Sequence, residues 1–135
     1  MKFGTKAIHA GVKPDPTTGA IMTPIYQTST YVQEAPGVNK GFGYARGKNP
    51  TREALQESIA ALENGNYCVC FSSGVAATDA VLKLLSPGDE VITTPFTFVA
   101  TAEVIRLLGL VPVFVDVEEN SFNLDPAKVE AAKTN

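Results

Sequence analysis

The sequence has few of the residues that build metal sites and disulfide frameworks. It contains two cysteines, Cys68 and Cys70, and a single histidine, His9. A disulfide across one intervening residue is strained and unusual, and a metal site at the two cysteines would lack histidine partners. Unpaired cysteines are among the most buried residue types. We therefore expect two free thiols in the protein core and no metal site.

Long hydrophobic runs and blocks of basic residues are also missing. The most apolar stretch, around residues 107–115, is interrupted by Gly109 and Pro112, and it is shorter than the roughly 18 residues of a membrane span. The N-terminus lacks the apolar segment of a secretory signal, which predicts a cytoplasmic protein. A formal charge of −3 argues against nucleic acid or an anionic membrane surface as the main partner.

The composition is typical of one folded globular domain, with 44% hydrophobic and 19% charged residues. Glycine and proline are concentrated in the first 50 residues, where no extended helical or strand periodicity is present. This pattern predicts an irregular N-terminal arm over residues 1–49, followed by an α/β domain over residues 50–135.

Helix and strand signals alternate after the arm. Asn49 and Pro50 suit the start of a helix over residues 50–63, and Asn64 and Gly65 suit its end. The later signals predict strands over 67–71, 90–93 and 111–117, helices over 75–85 and 98–108, and a last helix that begins at 125–126. Such alternation with short connections favours a mostly parallel α/β sheet.

Two loops are expected at the carboxyl ends of these strands, where α/β sheets bind ligands: residues 72–75 and 94–98. The first loop opens a helix whose free backbone N–H groups favour a phosphate, and Gly74 allows close approach. Taken alone, the loop is better explained as a small-residue turn made for packing, which most α/β proteins have. Neither a Gly-x-Gly-x-x-Gly nor a Gly-Lys-Ser/Thr motif is present, so no dinucleotide or nucleoside triphosphate is indicated.

A second phosphate anchor is suggested by Tyr44 and Arg46, which lie two residues apart beside Gly47. An arginine offers phosphate oxygens a bidentate fork, and a tyrosine adds one directed hydroxyl. A solvated loop that precedes a good helix start is the alternative, and the spacing does not decide between them.

Four ordered motifs carry a family resemblance over residues 1 to about 92. They are TKAIHAG (5–11), PIYQTST (24–30), YAR (44–46) with NPTR (49–52), and FSSGVAA (71–77). Together they resemble the pyridoxal-phosphate enzymes of Cys/Met metabolism, which include cystathionine gamma-synthase, cystathionine gamma-lyase and methionine gamma-lyase. The resemblance implies the N-terminal part of a fold-type I pyridoxal-phosphate large domain.

Residues after about 92 resemble a different family of the same fold type. The segments TPFTFVAT (94–101), PVFVDV (112–117) and FNLDP (122–126) are similar to those of sugar aminotransferases. The sequence thus predicts a composite chain with a junction near 91–92. Because both families share the large-domain fold, a junction inside an equivalent strand would preserve the sheet.

The resemblance implies pyridoxal 5'-phosphate as the cofactor and assigns its contacts. Ser73, Gly74 and Val75 form the turn whose backbone N–H groups hold the cofactor phosphate, while Tyr44 and Arg46 reach the phosphate of a neighbouring subunit in a homo-oligomer. The last site residue that the resemblance implies is Phe98, which matches the aromatic residue that stacks on the pyridine ring. The Cys/Met enzymes have a tyrosine there, whose hydroxyl is thought to assist departure of the gamma-substituent, and Phe98 has none.

Catalysis in these families also needs a Schiff-base lysine and an acid beside the pyridine nitrogen. In both families these residues lie beyond position 135, and no lysine of this sequence has the expected Ser/Thr-rich strand-end setting. We therefore expect the N-terminal portion of a trans-sulfuration enzyme that acts on a small amino-acid substrate, inactive as this chain alone. A fragment of a nucleotide-sugar aminotransferase and a non-catalytic truncated or designed α/β scaffold are the alternatives.

Overall fold

A computed structural model describes residues 2–134, which divide into two compact units. The N-terminal unit ends at Cys70 and the C-terminal unit begins at Phe71. The division that the sequence suggests, between an arm over 1–49 and a domain over 50–135, stays a prediction.

The N-terminal unit contains two helices, α1 (Phe3–His9) and α2 (Pro50–Leu62), joined by a long irregular segment. Helix α2 has the predicted start, because the Asn49 side chain accepts hydrogen bonds from the backbone N–H groups of Thr51 and Arg52. Its end is also close to the prediction, since Asn64 adopts a positive φ of 55° just after it. Helix α1 is not predicted by the sequence.

Hydrogen bonds from the first turn of α2 fix the irregular segment. The Thr51 hydroxyl donates to the Pro24 carbonyl at 2.9 Å and accepts from the Tyr26 N–H at 2.9 Å. The Asn49 amide donates to the Tyr26 carbonyl at 3.0 Å. The residues that cap α2 therefore also position the segment that precedes it.

The C-terminal unit has α/β architecture with parallel strands, as predicted. Its elements, in chain order, are α3 (Gly74–Leu82), β1 (Glu90–Thr93), α4 (Ala100–Leu107), β2 (Val111–Phe114) and α5 (Pro126–Ala131). The two strands pair in parallel, with Glu90 opposite Val111 and Thr93 opposite Phe114. Asp125 caps α5 by accepting a hydrogen bond from the Ala127 N–H at 2.9 Å.

The core of the C-terminal unit forms where α3, α4 and the start of β2 meet. Its buried side chains are Leu82, Val104, Ile105 and Leu110, with Val91 and Leu108 packed against them. The apolar spacing on α4 explains this burial, because Val104 and Ile105 face the core while Leu107 is exposed.

The predicted strand over 67–71 does not form. Tyr67 is 92% exposed and Val69 is 68% exposed, so the prediction of a segment buried on both faces is wrong. A strand needs a ladder partner, and the Cys70 N–H instead donates to the Gln56 side chain at 3.1 Å. The expectation of buried thiols is also wrong, because Cys68 and Cys70 are free but half-buried.

Other elements are shorter than the sequence predicts. Strand β2 ends at Phe114 rather than at residue 117, because its partner β1 ends at Thr93, whose carbonyl accepts the last ladder bond from the Val115 N–H. Helix α3 ends at Leu82, three residues before its predicted end at 85. Helix α4 begins at Ala100, two residues after its predicted start at 98.

Candidate functional site

The start of α3 presents free hydrogen-bond donors in an exposed turn. Ser73 has an extended backbone, and its Oγ accepts a hydrogen bond from the Ala76 N–H at 3.2 Å. Within residues 2–134, the N–H groups of Gly74 and Val75 have no acceptor, as is usual for the first residues of a helix. The turn therefore combines two unused N–H donors with the positive end of the helix dipole.

Open space in front of Gly74 leaves room for an anion at this turn. A Cβ built on Gly74 would have no atom within 4 Å. The Ser73 oxygen accepts from Ala76, which leaves its own O–H free to donate. Ser73, Gly74 and Val75 are all exposed, so the three donors are accessible to a ligand.

Tyr44 and Arg46 are brought together in the N-terminal unit. The Arg46 guanidinium carbon lies 5.0 Å from the centroid of the Tyr44 ring, a distance typical of a cation–π contact. Within residues 2–134, Arg46 forms no ion pair with a carboxylate. The exposed guanidinium thus keeps its charge and its donors available for an anion.

Arg52, for which the sequence predicts no role, shapes this loop. Its guanidinium donates to three backbone carbonyls, of Ala45 at 3.0 Å, Arg46 at 3.4 Å and Gly47 at 2.6 Å. One signal was available in the sequence: a cation in the first turn of a helix faces an unfavourable dipole and therefore needs a specific partner. Arg52 is a structural clamp for the loop that carries Tyr44 and Arg46.

Phe98 lies between β1 and α4 in the C-terminal unit, and its side chain is 78% exposed. The neighbouring Phe96 is engaged instead, since its ring stacks on Phe122 at a centroid distance of 5.4 Å. Phe98 therefore presents a ring that no aromatic partner among residues 2–134 covers.

The predicted site residues fall into two sets. Tyr44 and Arg46 lie in the N-terminal unit, whereas Ser73, Gly74, Val75 and Phe98 lie in the C-terminal unit. A cavity of about 770 Å³ opens in the N-terminal unit, between the irregular segment and α2, and none of the six predicted residues lines it.

No buried ionisable side chain is present in the described part of the chain. Five lysines lie in surface ion pairs: Lys13 with Glu57, Lys48 with Glu53, Lys83 with Asp79, Lys128 with Asp116 and Asp125, and Lys133 with Glu130. Between residues 2 and 134 no helix is long and apolar enough to cross a membrane, and no cluster of three or more metal-ligating side chains is present.

Comparison with known proteins places this geometry in a family context. The model of the family described as "Cys/Met metabolism PLP-dependent enzyme" matches residues 4–132. Cystathionine beta-lyase of Coxiella burnetii is 56% identical over 88 residues, which are 65% of this chain and 23% of that protein. A probable cystathionine gamma-synthase of Herpetosiphon aurantiacus is 40% identical over 134 residues, which are 96% of this chain and 40% of that protein.

Among solved structures, cystathionine gamma-lyase from Lactobacillus plantarum in complex with L-serine matches with a TM-score of 0.79 and 40% identity. The match covers 99% of this chain and 34% of that one. The chain thus spans well under half the length of these relatives. The family match continues past residue 92, and the resemblance of the later residues to sugar aminotransferases stays a prediction.

Proposed function

Because the chain belongs to the family of Cys/Met metabolism PLP-dependent enzymes, we propose that it is the N-terminal portion of a trans-sulfuration enzyme. The enzyme would be of the cystathionine gamma-synthase or gamma-lyase type and would act on sulfur-containing amino acids. The observation that supports this most is the family match over residues 4–132, which includes the whole exposed donor turn at the start of α3.

The residues at this turn fit the phosphate of pyridoxal phosphate. A phosphate dianion needs several donors and space close to the backbone. The Gly74 and Val75 N–H groups and the Ser73 hydroxyl supply the donors, and the open space in front of Gly74 supplies the room. When bound, the cofactor supplies an electron sink for carbanion chemistry on amino acids.

Tyr44 and Arg46 are proposed to bind the phosphate of a neighbouring subunit in a homo-oligomer. The Tyr44 ring holds the guanidinium through the cation–π contact, and Arg52 fixes the backbone of the loop. Since Arg46 has no competing carboxylate among residues 2–134, its donors are available to a phosphate.

Phe98 is proposed to stack on the pyridine ring, since its own ring is exposed. A phenylalanine side chain can neither donate nor accept a proton, because it has no acidic or basic group. Its role is therefore limited to orienting the ring and excluding water from one face.

We also propose that none of the lysines within residues 2–134 forms the Schiff base. Such a lysine must lose its proton, which desolvation favours, and no lysine in this range is buried. Borohydride treatment in the presence of pyridoxal phosphate tests the proposal. We expect no stoichiometric label on one lysine, and a single labelled lysine that is lost in its Lys→Ala variant would contradict it.

Titration of the 135-residue chain with pyridoxal phosphate, followed by absorbance, tests the proposed phosphate site. Arg46→Ala should weaken binding by at least about tenfold, because a charged hydrogen bond contributes about 1.5–3 kcal/mol. Arg106→Ala is the matched control, since Arg106 is an exposed arginine on α4, and it should leave the affinity unchanged. Absence of saturable binding would favour a non-catalytic scaffold, and equal affinities of the two variants would remove Arg46 from the site.

A further inference from the structure

The cavity of the N-terminal unit has no part in the proposed cofactor chemistry. Its volume of about 770 Å³ lies in the range that is typical of small-molecule sites. All of its lining residues lie between positions 13 and 57, so the cavity is formed within one compact unit. Its lining can therefore be examined for the chemistry of a ligand.

One wall of the cavity is carried by an irregular antiparallel hairpin over residues 30–44. The Tyr31 N–H donates to the Gly43 carbonyl at 3.2 Å, and the Glu34 N–H donates to the Val38 carbonyl at 2.9 Å. These hydrogen bonds join the two arms of the hairpin at its middle and at its turn. The side chains that the arms present to the cavity are thus held on a fixed backbone.

The two arms supply the cavity with a pair of aromatic rings. Tyr31 and Phe42 both line it and are half-buried, and their ring centroids lie 5.5 Å apart. The Tyr31 hydroxyl accepts a hydrogen bond from the Asn49 amide at 3.4 Å, which holds the ring in place. Pro24 and Pro50 add apolar surface. This lining favours a ligand with an aromatic group.

Most charged side chains of the lining already have partners within the chain. The partnered carboxylates are Glu57, which pairs with Lys13 at 3.4 Å, Glu53, which pairs with Lys48 at 3.5 Å, and Asp15, which accepts hydrogen bonds from Thr17 and Thr18. Glu34 and Lys40 also line the cavity, and neither forms an ion pair with any residue between 2 and 134. The cavity therefore has one carboxylate and one ammonium group that are available to a ligand.

These two groups lie on opposite arms of the hairpin, beside its turn at 35–38. We propose that the cavity binds an aromatic amino acid as its zwitterion. The ligand's ammonium group contacts Glu34, its carboxylate contacts Lys40, and its ring packs against Tyr31 and Phe42. A ligand with one charge would satisfy one of the two groups and place its charge near the like charge of the other. This site is independent of the proposed cofactor function, because none of the proposed cofactor-binding residues lines the cavity.

Three probes that share a phenyl ring separate the contributions of the two charges. L-Phenylalanine carries both charges, phenethylamine lacks the carboxylate, and 3-phenylpropionate lacks the ammonium group. In backbone amide NMR of the 135-residue chain, L-phenylalanine should shift the Tyr31 and Phe42 signals saturably. The two singly charged probes should bind more weakly, and L-alanine, which has no ring, should leave both signals unmoved.

Two charge-removing variants assign the contacts. Glu34→Gln and Lys40→Gln should each weaken L-phenylalanine binding by about three- to tenfold. Glu34→Gln should not weaken 3-phenylpropionate, and Lys40→Gln should not weaken phenethylamine, because each of these probes lacks the charge that the substituted residue contacts. Both positions are exposed, so the fold should be retained.

Glu63→Gln and Lys2→Gln are the matched controls, since both residues are exposed and lie outside the cavity lining. They should leave the affinity for L-phenylalanine unchanged, and losses as large as those of the cavity variants would overturn the proposal. Absence of saturable shifts with L-phenylalanine would also overturn it. A singly charged probe that binds as tightly as L-phenylalanine would identify a cation or anion site instead of a zwitterion site and would overturn it too.

Discussion

Each of the two units of the molecule is stabilised internally by a different kind of interaction. The C-terminal unit buries a cluster of large aliphatic side chains, with Ile105 and Leu110 almost fully enclosed. In the N-terminal unit, by contrast, Ala60 is the only buried hydrophobic residue among the described residues 2–70. The N-terminal unit relies on hydrogen bonds that the side chains of Asn49, Thr51 and Arg52 donate to backbone carbonyls elsewhere in the unit. The Thr51 hydroxyl also accepts one from the Tyr26 N–H. One short chain thus uses apolar burial to stabilise one unit and side-chain capping to stabilise the other.

Truncation of the C-terminal core should have the largest effect on stability. Ile105 is 2% exposed, so Ile105→Ala should lower the free energy of unfolding by about 2–5 kcal/mol. Chemical denaturation followed by circular dichroism measures this change. Leu107→Ala, at an 84% exposed position on the same helix, should change it by less than about 0.5 kcal/mol. Similar losses for both variants would contradict the assigned core.

Close packing in the N-terminal unit can be tested at two glycines with positive φ. A Cβ on Gly11 would lie 2.6 Å from the Glu57 carbonyl oxygen, whereas a Cβ on Gly19 would meet nothing within 4 Å. Since both have φ above 70°, the backbone cost is shared. Gly11→Ala should therefore destabilise the chain by about 1–3 kcal/mol more than Gly19→Ala. Equal thermal stability of the two variants would show that Gly11 does not pack on α2.

Removal of the cap of α2 should reduce stability less than the core truncation does. Asn49→Ala removes the acceptor for the Thr51 and Arg52 N–H groups and the donor to the Tyr26 carbonyl. It should therefore lower the free energy of unfolding by about 0.5–2 kcal/mol. Asn66→Ala, at an exposed loop position, is the control and should be nearly neutral. Hydrogen exchange in the first turn of α2 should accelerate in the Asn49 variant alone.

Asp15 gives the smallest expected effect and a defined pH dependence. Hydrogen bonds from the backbone N–H and hydroxyl of Thr18, and from the Thr17 N–H, lower the pKa of its carboxyl. Because the pKa is lower in the folded state, the stabilisation is present above the unfolded pKa and is lost as the pH falls through the folded pKa. Comparison of wild type and Asp15→Asn between pH 2 and 6 should show a stability difference that shrinks in acid. A difference that stays constant over this range would contradict the assignment.

The sequence predicts well the elements whose signals are local. Helix α2 has a capping asparagine, a proline at its first position and an Asn-Gly end, and the structure confirms its bounds to within one residue. Strand β1 forms over the predicted residues because its partner β2 lies within the same unit. The donor turn at the start of α3 also follows from a local feature, the cap made by Ser73.

Predictions fail where the determinant lies elsewhere in the chain. The segment 67–71 has the composition of a strand, but a ladder partner cannot be deduced from composition. Helix α1 has no side-chain cap at Lys2 and leaves Phe3 and Ile8 exposed, so neither a capping signal nor an apolar periodicity indicates it. The clamp by Arg52 is likewise a contact with backbone carbonyls, which a residue pattern does not encode.

Backbone amide NMR of the chain titrated with pyridoxal phosphate tests most directly whether the start of α3 holds the cofactor phosphate. Saturable shifts of the Gly74 and Val75 N–H signals, matched by inorganic phosphate at higher concentration, are the predicted result. Saturable binding that leaves both signals unmoved would contradict the account.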